Sequence, residues 1–173
     1  MNYRKMLSRR ISFDDMMEML FMMQEGGYEE KEKFYRFIFD EDEKVARNAL
    51  LTLNKFTLSE NEWLYTRHHE LINESMSTSD DTKRRLLLSL LNRQPFSKSD
   101  MRTDFFDFCM KHAMMVSEPV AVKVLCLKLA YVMSVHFKEL QTELRYELEN
   151  MPEEMLVPSV RTCRKNLLKK LGL

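Results

Sequence analysis

The sequence predicts an all-α fold built from helix pairs, on three observations. Gly occurs three times and Pro four times in 173 residues, while aliphatics, Met, Glu, Lys and Arg are abundant. Gly and Pro build loops, hairpins and phosphate cradles, so their scarcity points to helices joined by short turns. Apolar residues recur at helical spacing in successive segments. Finally, the chain matches itself when shifted: Arg47, Arg84, Lys123 and Arg161 fall at intervals of 37, 39 and 38 residues.

The first ten residues, MNYRKMLSRR, carry four positive and no negative charges. They are basic like the start of an export signal, but ISFDD follows where an apolar run belongs, so no signal is expected. Ser12 with Asp15 three residues on is a capping-box pattern that starts a helix over about 13–25. Its Met16, Met17, Met19, Leu20, Phe21, Met22 and Met23 cover some three quarters of the circumference, more than one neighbouring helix can bury. Residues 2–10 folding over it as an N-terminal cap would account for this. So would a homodimer or partner surface of the adaptable Met-rich kind. The run MMEMLFMM is eight residues with a Glu inside, far short of the roughly 20 that span a bilayer. A soluble, cytoplasmic protein with no membrane partner is expected.

The first pair joins a helix over roughly 29–39 to one containing VARNALLTL, through Asp40 to Glu43. Acids at a helix start are favoured by the exposed amides and dipole, by about 0.3–1 kcal/mol each. Arg47, one turn on, can return to a turn carboxylate of its own or the next repeat. The second pair places a helix over 59–76 before STSDD and KRRLLLSLL. The third places 99–115 before VSEP and VKVLCLKLA, and the fourth 137–149 before the longer NMPEEMLVP and VRTCRKNLL. Apolar residues follow each ladder cation by two to six positions: Ala49, Leu50 and Leu53; Leu86, Leu87 and Leu90; Leu125 and Leu129; Cys163 and Leu167.

With an acidic turn, a cation soon after it and a Val/Ala/Leu second helix, the chain resembles the HEAT-repeat family over roughly residues 29–170. The acidic turn is clear in the first unit and partial in the second (SDD) and third (Glu118). The resemblance implies a right-handed α-α superhelix of about four helix pairs. It implies one domain over 1–173, with 1–27 as N-terminal cap and 28–173 as the hairpins. It also implies a scaffold whose concave surface, lined by the second helices, binds another macromolecule.

Several residues are candidates for that contact. The ladder Arg47, Arg84, Lys123 and Arg161, with Lys83 and Arg85 beside it, either ties repeats together or forms a basic ridge for an acidic peptide or phosphate backbone. Four residues further on, Leu51, Leu88, Leu127 and Lys165 share the ladder face, away from the main apolar stripe. In the third unit Val124, Leu127 and Tyr131 make the helix apolar almost all round, as in a buried helix or a partner groove. Trp63 falls opposite Leu64, Leu71 and Ile72, and is either a contact anchor or a packing residue. The last helix gathers Arg161, Arg164, Lys165 and Lys169 on one arc, as a solvated cap or as a nucleic-acid or acidic-membrane contact.

Catalytic chemistry finds no motif. Cys109, Cys126 and Cys163 are odd in number and widely spaced, fitting a reducing cytosol. Adjacent His68 and His69 point about 100° apart, and His112 and His136 lack ligands at convincing spacing, so no metal is expected. No activated nucleophile or glycine-rich phosphate loop is readable, and no cofactor is expected. Lys plus Arg equals Asp plus Glu at 27 each, yet residues 11–43 hold eleven acids against three bases, and 159–173 hold five bases and no acid. A non-enzymatic scaffold binding a protein segment on its concave face leads. The alternative is a nucleic-acid binder of the kind found among HEAT-like DNA-alkylation glycosylases, using the ladder and basic tail.

Overall fold

The computed structural model describes residues 2–172 and holds, among them, ten α-helices and no strand. The chain divides into two compact units, Met1–Leu90 and Leu91–Leu173.

The first unit opens with α1 (Tyr3–Leu7) and α2 (Phe13–Glu25). The capping box forms as the sequence predicts: the Asp15 amide donates to Ser12 Oγ at 3.1 Å, and the Ser12 amide donates to Asp15 Oδ2 at 2.8 Å. Helix α3 (Gly27–Tyr35) follows with no intervening loop and runs on as a 3₁₀ turn, Arg36–Phe39. Gly27 has φ +62, and this left-handed residue reverses the chain where a side chain would be strained. Helices α2 and α3 pack together, and α2 buries Met16, Met19, Leu20 and Met23.

The opening segment does not cover the rest of α2. Helix α1 packs chiefly on α4 (Glu43–Lys55). Tyr3 meets Phe34 edge-on at 5.3 Å and Phe37 at 6.3 Å. Asn48 Nδ2 donates to the carbonyls of Leu7 and Arg9 at 2.7 and 2.9 Å. The segment therefore caps the first pair, and the expectation that it folds over the Met-rich helix is corrected.

The acidic run starts α4, as its charge predicts. Asp42 caps it by accepting from the Lys44 amide at 2.9 Å, while Asp40 pairs with Arg4 at 3.1 Å and Glu43 with Arg47 at 3.0 Å. The second pair departs from the predicted helix 59–76: Glu62–Arg67 is 3₁₀, and α5 begins only at His68 and runs to Ser77. Local side-chain bonds compete with the α ladder here. Thr57 and Glu60 bond reciprocally at 2.7 and 3.2 Å, and buried Asn61 donates to the Leu53 carbonyl at 2.7 Å. Leu64, Leu71 and Ile72 are fully buried. Helix α6 spans Asp81–Asn92.

In the second unit α7 (Thr103–Met114) packs on α8 (Val120–Ser134), which is also contacted by α9 (Lys138–Glu149) and α10 (Pro158–Lys170). Three neighbours explain why α8 is apolar almost all round. Val122, Cys126, Leu127, Leu129, Ala130 and Met133 are all buried, and Phe105, Phe106 and Cys109 of α7 complete this core. The longer link before α10 is tucked in: a 3₁₀ turn, Glu153–Met155, lies among buried Met151, Met155 and Leu156.

Candidate partner-binding site

The ladder cations serve mainly as ties. Arg47 Nε donates to Asp80 Oδ2 at 2.5 Å, linking α4 to the start of α6. Arg84 closes its own hairpin, with Nε donating to the Ser75 carbonyl at 3.1 Å and Nη2 to the Thr78 carbonyl. Lys123 is buried and donates from Nζ to the Val116 carbonyl at 3.2 Å. Arg84 and Lys123 satisfy carbonyls left open where the first helix of their pair ends.

The fourth copy slips. Arg161 points outward, its guanidinium 3.6 Å from exposed Glu153. Arg164 takes over the hairpin role, donating from Nε to the Leu148 carbonyl at 2.5 Å and from Nη2 to that of Glu149 at 3.5 Å. Two cations three residues apart share one helix face, so sequence alignment chose the one at the regular interval. The longer, folded link shifts the register to the other.

Burial corrects two further candidates. Leu88 and Leu127 have no exposed surface, so neither offers a partner anything. Leu51 is half-buried, Arg85 exposed, and Trp63 half-buried with its ring edge-on to Tyr35 at 6.1 Å. Trp63 also borders a cavity of about 170 Å³ with Leu20, Met23 and Lys31. The turn acid Glu118 meets His112 Nδ1 at 2.7 Å rather than a ladder cation, under the Phe108 ring at 4.0 Å from the imidazole. No spacing rule would have paired them.

Tyr131 is half-buried and belongs to a cleft of about 300 Å³ between α8 and α10. Lys128, Tyr131 and Val132 of α8 face Cys163, Asn166, Leu167 and Lys170 of α10, with Asn92 at one edge. Lys170 Nζ lies 5.3 Å from the Tyr131 ring centroid, a cation–π contact. Among the described residues no acid lines the cleft. The Cys163 thiol beneath it is pushed up by burial, against the pull of the Lys128 and Lys170 ammoniums. The cleft thus offers apolar floor, amides for backbone bonding and two ammoniums for negative charge. Lys128 and Lys170, the charges that define it, lie off the repeat ladder and were missed for that reason.

Among the described residues no group of three or more His, Cys, Asp or Glu is placed to hold a metal ion, and no helix is long and apolar enough to cross a membrane. The HEAT repeat domain family matches residues 3–171. No curated protein and no solved structure matches the chain significantly. The chain belongs to the HEAT repeat domain family, whose members generally serve as protein-interaction scaffolds.

Proposed function

We propose that the protein is a non-enzymatic, cytoplasmic scaffold that seats a segment of a partner protein across α8 and α10. The observation that carries this reading is the cleft in which Lys170 lies over Tyr131 beside Lys128, with Val132 and Leu167 as floor and no acid among the described lining residues. An extended or helical segment would place an apolar side chain on the floor and a carboxylate between the ammoniums, with Asn92 and Asn166 reaching its backbone. Leu51, Arg85 and Trp63 are further contact candidates on the first unit. Three free, buried thiols suit a reducing compartment.

The test is affinity capture from native cytosol at low and moderate salt, with protein and nucleic acid both assayed, using the natural chain and a Tyr131→Ala, Lys170→Glu variant. A stoichiometric protein partner that survives moderate salt and is lost by the variant is expected. Recovery of nucleic acid alone, falling steeply with salt, would replace this reading with phosphate binding along α10.

A further inference from the structure

Helix α2 carries a second, separate surface. Phe13, Met17 and Phe21 are 68, 45 and 62% exposed. Four-residue spacing advances about 40° per step, so the three side chains form one stripe about 80° wide. Buried Met16, Met19, Leu20 and Met23 occupy the adjoining arc, from about 240 to 340°, and end beside Phe13. The opening segment, which packs on α4, leaves this stripe open.

The stripe has a charged flank on one side. Asp14, Glu18 and Glu25 fall at about 100, 140 and 120° on the same wheel, immediately past Phe21. All three are exposed, and none forms an ion pair with a neighbour. The neighbouring sequence deepens the field, with eleven acids and three bases over residues 11–43. Asp15, by contrast, is engaged in the capping box and with Arg9.

From an apolar stripe bordered by unpaired carboxylates we infer that α2 docks a cationic amphipathic helix of another protein. Such a helix lays apolar residues at i, i+3 or i+4 and i+7 on Phe13, Met17 and Phe21, and its flanking Lys or Arg meets the acid ridge. A second copy fits less well. Antiparallel pairing of two α2 helices about a two-fold axis would set acid ridge against acid ridge. The basic α10 of another copy has already buried its own apolar residues, Val160, Cys163 and Leu167.

The probe is a fluorescein-labelled 18-residue Leu/Lys amphipathic helical peptide, with a Leu/Glu peptide of the same pattern as control, read by fluorescence anisotropy. The natural chain is expected to bind the Leu/Lys peptide and not the Leu/Glu one. Phe13→Ser with Phe21→Ser should weaken binding at least about tenfold, and Asp14→Lys with Glu18→Lys should do so in a salt-dependent way. Circular dichroism should show unchanged melting for the Phe13→Ser, Phe21→Ser variant and only a small loss for the Asp14→Lys, Glu18→Lys variant, since all four side chains are exposed and Asp14 alone lies in the first turn. Equal binding of both peptides, or no loss in either variant, overturns the proposal. So does a concentration-dependent dimer, seen by sedimentation, that Phe13→Ser and Phe21→Ser dissolve. Tyr131→Ala should leave this binding unchanged, which separates the α2 surface from the cleft on α8 and α10.

Discussion

The Arg47 guanidinium donates to Asp80 Oδ2 at 2.5 Å, while Asp80 Oδ1 accepts from the backbone amides of Thr82 and Lys83 at 2.9 and 3.1 Å. One carboxylate therefore both starts α6 and ties it to α4. Asp80→Ala should cost about 1–3 kcal/mol, the sum of a lost cap and a broken, half-buried pair. Arg47→Ala should cost less, because that side chain is 40% exposed. Urea titrations of both single variants and the double variant would give the coupling, expected to be positive and below the Asp80 effect.

Acid should loosen the first unit. The Arg4 hydrogen bond holds the Asp40 carboxyl below its usual value. Burial alone would raise Asp80, yet the Arg47 bond and the Lys83 and Thr82 amides together keep it low. A carboxylate with a depressed folded pKa contributes stability above its unfolded value, and that stability is lost as pH falls through the folded one. Thermal melting should hold steady from neutral pH to about 5 and fall below about pH 4. Asp40→Asn should flatten part of that fall; an unchanged slope would show that Asp40 contributes none of it.

Leu127 and Tyr131, one turn apart on α8, should behave oppositely. Leu127→Ala should destabilise by about 2–5 kcal/mol, as for any fully buried leucine. Tyr131→Ala, at a half-buried side chain, should cost less than that and remove the captured partner. Denaturant midpoints beside binding measurements on both variants would check the split.

Arg164 and Arg161 offer a similar contrast. Arg164→Ala should cost about 1–3 kcal/mol, since it strands the Leu148 and Glu149 carbonyls. Arg161→Ala should fall within about 0.5 kcal/mol of the natural chain. Equal losses would return Arg161 to the ladder.

Gly27→Ala should destabilise by about 1–2 kcal/mol, because a left-handed φ is strained for any residue with a Cβ. Thermal melting is the measurement, with Gly26→Ala, whose backbone is right-handed, judged separately.

Much of the array was legible because repeat spacing, acids before second helices and apolar periodicity all report on backbone positions. Helix α2 was predicted over 13–25 and spans Phe13–Glu25, since its capping box is written in four residues. What the sequence hid depends on neighbours distant along the chain. Leu127 looks exposed by wheel geometry until α7, α9 and α10 are placed around α8. The 3₁₀ segment at Trp63 follows from the Asn61 side chain reaching the Leu53 carbonyl, a bond invisible to periodicity. The cleft pairs Lys128 with Lys170 across two helices whose register only the folded link sets.

The cation that closes each of the last three hairpins also bears on how the chain acquires its structure. Arg84 reaches back nine residues to Ser75, Lys123 seven to Val116 and Arg164 sixteen to Leu148. Contacts over such short separations cost little loop entropy and form quickly. A hairpin can therefore close on its lock soon after its second helix leaves the ribosome, before later repeats exist. Nascent-chain protease protection should then rise stepwise, one hairpin at a time, rather than in a single late transition.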